Sequence, residues 1–286
     1  MKMKNLAKNL VERTAGNRLA WFAYRMCGRA SRYLGQIYGH ARWTRETNQR
    51  DELLASVVDD LFPDLTVASG PFQGMRYPRE RSIGSALLPK LLGSYEAELH
   101  PALEAMLTNN YAAVVDVGCA EGYYAVGLGL RLKAAQIYAF DTDPRARQAC
   151  AEMARLNGVS DRVHIGAMCD DHVLRSLPLL PKALIIADCE GYEKELFTPQ
   201  AREVLTKHDL IIETHDFIDI NISQQLWDAF SGSHQIQSIK STDDIEKVHR
   251  YKYERIAKHD ANQRRMILGE RRPAIMEWLV MTPHPD

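Results

Sequence analysis

Five titratable side chains, Asp188, Glu190, Glu213, His215 and Asp216, stand at or just past the ends of two apolar runs, 183–187 and 209–212. When such runs are parallel strands of an open α/β sheet, ligands bind outside their carboxyl ends, and the five groups converge on one crevice. An imidazole or a carboxylate there can take a proton from an attacking group, a contribution of ~10²–10⁴-fold. His215 is the first candidate for that general base, because an ordinary imidazole titrates near working pH, and Glu190 is the second. Two other readings stay open. Asp188, Glu190 and Asp216 offer hard oxygen ligands to Mg²⁺. Alternatively, Asp188 and Glu190 bind a cofactor and cap the following helix, while His215 is a packed structural residue.

A second constellation lies upstream. The apolar run 112–115 ends in Asp116, then Gly118, Glu121 and Gly122. The glycines allow a tight turn and a close backbone approach to a ligand. A further apolar run ends in Asp141, about twenty residues past the turn, where an acid accepts hydrogen bonds from ribose hydroxyls. The loop reads DxGxxxG. Ala120 stands where a dinucleotide-binding loop has its second glycine for the pyrophosphate. Asp116 and Glu121 add negative charge beside the turn. A cofactor with a ribose, no phosphate and a cationic end fits this pattern, which points to S-adenosylmethionine.

These residues need a scaffold. Apolar runs at 112–117, 135–140, 162–167, 183–187 and 209–212 alternate with helical stretches such as 143–156 and 192–206. That alternation predicts a parallel sheet covered by helices. Asp143 and Pro144 form an N-cap followed by proline at the first turn, a strong helix start. Two more strands are predicted at 233–241 and 274–281, separated by a charged helix near 243–260, so the sheet gains an antiparallel member. The expected fold is α/β: a Rossmann-like, seven-stranded, mostly parallel sheet with helices on both faces and one antiparallel strand near the C-terminus. Upstream, 5–50 reads as helix, 51–62 as a short helix stopped at Pro63, and 69–78 as a loop or hairpin. The expected division is a basic helical extension and cap region over 1–94 and a cofactor-binding domain over 95–286.

The chain of 286 residues is 45% hydrophobic and 26% charged, the range of a soluble protein with one large domain and an extension. Its net charge of −1 is unevenly spread: residues 1–50 carry +9 and the remainder −10. A basic arm on an acidic body suits a polyanion or an anionic membrane surface, and equally a solvated helix. Cys27, Cys119, Cys150, Cys169 and Cys189 are odd in number and lack zinc-site spacing, so free thiols in a reducing compartment are expected. No stretch approaches the ~18 apolar residues of a membrane span. Glu12 and Arg13 interrupt any signal-peptide core. The expected location is the cytoplasm, with the arm placing the chain beside the inner membrane face or a polyanionic glycan.

The chain resembles a class I S-adenosylmethionine-dependent methyltransferase, and within that class it is similar to the FkbM family. The residues that carry the resemblance are DVGCAEGYY from Asp116, AFDTDP around Asp141, LNG at Asn157, DCEGYE from Asp188 and ETH from Glu213 to His215, all within about 95–217. The resemblance implies O-methylation of a hydroxyl on a sugar, glycan or natural product. It implies that Gly118 and Gly122 border the methionine part of the cofactor, that Asp141 and Thr142 meet the ribose, and that Asp170 and Asp171 hold the adenine amino group. Tyr95 and Glu96 would close over the cofactor. Asp141 departs from the family's usual glutamate but remains a two-oxygen acceptor. The implied partner is a small-molecule or glycan acceptor, with no specific nucleic acid.

Three other functions compete. A nucleic-acid or protein methyltransferase would use the basic arm, but the Asn/Asp-Pro-Pro-aromatic motif of amine-directed enzymes is missing after the fourth strand. Cys189 follows Asp188 and not the proline of a cytosine-C5 nucleophile. A non-catalytic scaffold conflicts with intact acids at 116, 141 and 188, and an NAD-dependent oxidoreductase conflicts with Ala120. The paired arginines Arg264-Arg265 and Arg271-Arg272 read as solvated loop charges or an anion clamp.

Overall fold

Continuous apolar runs bury both faces of a strand, and three such runs build the centre of this molecule. In a computed structural model, which describes residues 54–78 and 82–285, β1 (Ala113–Val117), β4 (Ala183–Ala187) and β5 (Asp209–Thr214) are buried at every position. With β2 (Gln136–Phe140), β3 (Val163–Gly166), β6 (His234–Lys240) and β7 (Glu277–Pro283) they form one seven-stranded sheet of order β3-β2-β1-β4-β5-β7-β6. The first five strands are parallel, and β7 runs antiparallel between β5 and β6. This is the expected Rossmann-like sheet with its antiparallel C-terminal member. Strand order reverses between β1 and β4, which opens a crevice at their carboxyl ends.

The helices follow local signals. A helix over 54–61 (α1) is followed by α2 (Leu87–Leu92) and α3 (His100–Met106). The glycine turn opens α4 (Tyr123–Arg131), and Asp143 accepts a hydrogen bond from the Arg145 amide at 2.8 Å to cap α5 (Pro144–Leu156). Asp170 caps α6 (Asp171–Ser176) through the Val173 amide. The predicted helix over 192–206 is two, α7 (Glu193–Leu196) and α8 (Pro199–Leu205), because Pro199 cannot continue a helix and Thr198 caps a new one. Beyond α9 (Ile222–Phe230), the helix predicted near 243–260 shortens to α10 (Asp244–Arg250) and a 3₁₀ turn at Glu254–Ile256, and α11 (Ala261–Leu268) follows behind a capping box at Asp260.

Side chains alternate across the strands. Val115, Val117, Ile185 and Ala187 pack in one cluster with Leu174, Leu196, Leu205 and Phe230 from α6 to α9. Each such burial contributes roughly 1.5–3 kcal/mol. Segment 69–78 is a loop tied by a single bridge between Thr66 and Arg76. These elements belong to the compact unit Val57–Asp286. The helix predicted over 5–50 and its basic charge lie outside the described residues, and none of the helices described is long and apolar enough to cross a membrane.

Candidate active site

A cavity of about 430 Å³ opens at the switch point between β1 and β4. Asp116 and Gly118 from the end of β1, Asp141 and Thr142 beyond β2, Met168 and Cys169 beyond β3, and Asp188 and Glu190 beyond β4 line it. Tyr95, Glu96, Tyr123, Tyr124, Glu213 and Trp278 complete the wall.

The loop works through its backbone. Gly118 sits at φ +86°, and a β-carbon there would lie 1.7 Å from the Asp188 carbonyl oxygen. Glycine is therefore required by the close approach of the β4 end as well as by the turn. Gly122, at φ +94°, lies outside the cavity wall; a β-carbon on it would press Cys150 Sγ of α5 at 2.8 Å. Its expected place beside the methionine part gives way to helix packing. Asp141 accepts from the amides of Ala120 (2.9 Å) and Asp143 (2.8 Å), which fixes its carboxylate at the rim with lone pairs to spare. Ala120, Glu96 and Glu190 all have left-handed backbones, and all three line the cavity. Such conformations cost ~1–3 kcal/mol each and collect at functional sites.

Other predicted residues face elsewhere. Glu121 turns away from the cavity into a buried pair with Lys90 at 2.6 Å, joined by Ser82 and the Ile83 amide. Asp170 is spent on the α6 cap, and Asp171 reaches Thr198 and Arg175, so neither lines the cavity. Asp216 bonds the amide and hydroxyl of Ser223 as a helix anchor. The ligand atoms that converge with those of Asp188 and Glu190 belong to His215 and not to Asp216. In all four cases a backbone or side-chain donor nearer than the cavity satisfies the carboxylate.

Asp116 fits a cationic ligand. It is 2% exposed, and its Oδ2 has no hydrogen-bond partner among the described residues. Burial raises its carboxyl to about 7; a hydrogen bond from Ala125 opposes this, and the charges of Asp188 and Asp141 add to it. A positive group beside that oxygen would relieve the deficit. The donor set thus suits S-adenosylmethionine: Asp116 and Asp188 for its cationic end, Asp141 and Thr142 for the ribose, and Phe140, Met168 and Cys169 for an apolar ring.

His215 lies at the end of β5, 2% exposed. Its Nδ1 is 2.5 Å from Glu193 Oε1, and its Nε2 is 3.3 Å from Asp188 Oδ1 and 3.7 Å from Glu190 Oε2. Burial alone would lower its pKa, but hydrogen bonds and charge from Asp188 and Glu193 outweigh it and lift it to about 10. A neutral imidazole base is not what this surround maintains. Burial and the charges of Glu193 and Asp188 push the Cys189 thiol up, which disfavours the thiolate.

Arg272 is the residue least visible in the sequence. It is not solvated: its guanidinium bonds Glu96 and Glu213 at 2.6 Å and Glu270 at 2.8 Å, and stacks 4.8 Å from the Trp278 ring. Glu270 in turn takes a bond from Lys247, and Glu96 takes one from Tyr124. Burial pushes the Glu213 and Glu270 carboxyls up even beside these cations. The double arginine was the only sequence signal, and nothing local marks which one is buried.

Residues 100–189 match the family model of the ribosomal protein L11 methyltransferase (PrmA). That segment holds β1 to β4 and the whole glycine loop. The L11 methyltransferase of Alkalilimnicola ehrlichii is 48% identical over 52 residues, and that of Salmonella newport 34% over 94. These matches take in 18% and 31% of this chain and only 17% and 31% of the relatives' own lengths. Among solved structures, a precorrin-6Y C5,15-methyltransferase from Geobacter metallireducens aligns at TM-score 0.42 and 12% identity, over 65% of this chain and 89% of that one. TrmK of M. capricolum in complex with S-adenosylhomocysteine aligns at 0.38 and 13%, over 64% and 67%.

The similarity is to S-adenosylmethionine-dependent methyltransferases, as the loop and acids predict, and the matching model is not that of the FkbM family. The expected partners are overturned. The curated relatives are by name methyltransferases of a ribosomal protein, so a small-molecule or glycan acceptor with no specific nucleic acid does not stand.

Proposed function

We propose that this chain is an S-adenosylmethionine-dependent methyltransferase whose acceptor is a protein side chain. The observation that carries the reading is the acidic cavity at the β1–β4 switch point, whose buried Asp116 oxygen has no partner among the described residues and whose glycine loop lies inside the segment that matches the L11 methyltransferase model. The bound cofactor supplies an electrophilic methyl group on a cationic sulfur. The chain's own residues do the rest. Asp116 and Asp188 balance positive charge, and Asp141 orients the ribose through a carboxylate held by two amides. Glu190 with Tyr95, Tyr124 and Trp278 forms an acidic, aromatic wall that suits an amine-bearing side chain. Positioning of the acceptor and the loss of its proton to a cavity carboxylate supply the catalysis. His215 then acts as a positioning residue between Asp188 and Glu193.

A hydroxyl acceptor, the reading that the FkbM resemblance implied, is not supported by the family match. The test is transfer of labelled methyl groups to purified ribosomal protein L11, paired with calorimetry of S-adenosylhomocysteine binding. Micromolar binding and acid-stable label in the protein are expected. Binding without protein label would overturn the acceptor, and absent binding would overturn the activity.

A further inference from the structure

The cluster at the cavity mouth has the composition of a metal site in which nitrogen replaces one of the oxygens foreseen for Mg²⁺. Asp188, Glu190 and His215 each offer one ligand atom, and the three atoms lie within 4.8 Å of one another. Separations of 3.3 Å and 3.7 Å from His215 Nε2 to the two carboxylate oxygens are the edge lengths that ligands ~2.0–2.2 Å from a common ion would have. The imidazole is oriented for this. Glu193, 0% exposed, holds Nδ1 at 2.5 Å, which leaves Nε2 turned toward the two acids. A buried carboxylate on the far nitrogen of a ligating histidine is the usual supporting partner of a metal-bound imidazole. Glu193 is itself held by the Gly191 amide, and its Oε2 has no partner among the described residues.

We propose that Asp188, Glu190 and His215 bind one divalent first-row transition cation, with Glu193 as the positioning residue. Three carboxylates surround one imidazole, so the cluster is strongly negative, and a cation that replaces the ring proton on Nε2 offsets that charge. A mixed nitrogen and oxygen donor set selects Mn²⁺, Co²⁺ or Zn²⁺ over Mg²⁺ or Ca²⁺. Three protein ligands would leave coordination positions open, and Asp188 and Glu190 both line the cavity. The side chains of Asp188 and Glu190 are 42% and 79% exposed, which gives an ion a path in. The proposal does not depend on the methyltransferase reading, since its test measures metal alone.

Full-length protein, stripped with a chelator, is titrated with Co²⁺ by visible absorption and with Mn²⁺ by electron paramagnetic resonance. One equivalent is expected to bind with a micromolar dissociation constant. Glu190→Gln, at an exposed side chain that does not threaten folding, weakens binding at least tenfold. His215→Gln shifts the Co²⁺ absorption by removing a nitrogen ligand, and Glu193→Gln weakens binding about 10–100-fold with the spectrum retained. No saturable binding overturns the proposal. So does millimolar binding equal to that of Mg²⁺, or binding that Glu190→Gln and His215→Gln both leave unchanged.

Discussion

At the scale of single residues, a side chain's chemistry is set by what it loses on burial and what it gains from neighbours. Asp116 shows this most directly, with its carboxyl raised from 3.8 to about 7 by burial and by nearby acids. The folded state keeps the proton between those values while the unfolded chain releases it. Stability therefore falls as pH rises through that window and is lowest above it. Asp116→Asn removes the penalty, so the variant should gain on wild type by up to about 3 kcal/mol in thermal or urea denaturation as pH rises from 5 to 8. It should also bind S-adenosylmethionine at least tenfold more weakly. A constant difference across pH would show that Asp116 is already ionised in the folded state. Gly118→Ala tests the opposite kind of residue. Its β-carbon meets the Asp188 carbonyl oxygen at 1.7 Å in a left-handed backbone, so β1 and β4 must separate at the cavity. A loss of about 2–5 kcal/mol is expected, with cofactor binding abolished in calorimetry.

At the scale of elements, the ends of β5 and β7 and the loop before α3 meet on Arg272, which bonds Glu96, Glu213 and Glu270 together. Arg272→Met leaves those acids buried without their shared cation, at a cost of about 3–5 kcal/mol. Glu213 and Glu270 already sit above the ordinary carboxylate range. Without Arg272 they rise further, so the deficit should be larger at pH 8 than at pH 5, where they protonate. An equal deficit at both pH values would assign the loss to packing on Trp278 alone. The strands themselves were legible: 183–187 was read to the residue, and β1, β2 and β5 to within one or two. Where the reading failed, the cause was local and specific. Pro199 splits one predicted helix into two, and the segment from 251 leaves the helical path after α10.

At the scale of the whole molecule, charge is uneven: residues 51–286 carry −10, and the cavity wall collects Asp141, Asp188 and Glu190. The field in such a low-dielectric cleft favours a cationic ligand and is screened by salt. Raising ionic strength from about 0.05 to about 0.5 M should therefore weaken S-adenosylmethionine binding more than S-adenosylhomocysteine binding, since only the former carries a charged sulfur. Parallel salt dependence in calorimetry would remove the cavity's net charge from cofactor selection.

What the sequence determined by itself was the sheet, the glycine loop and the acids at 116, 141 and 188. Each is written in contiguous residues, because burial on both faces, backbone turns and caps are local requirements. The tertiary structure decided which way the remaining side chains face. Glu121 belongs to Lys90, 31 residues away, and Glu96 to Arg272, 176 residues away. His215 is claimed by Glu193 and Asp188, and Asp170 by its own helix. A buried charge goes to the nearest partner that can satisfy it, and that partner is found by folding and not by spacing along the chain.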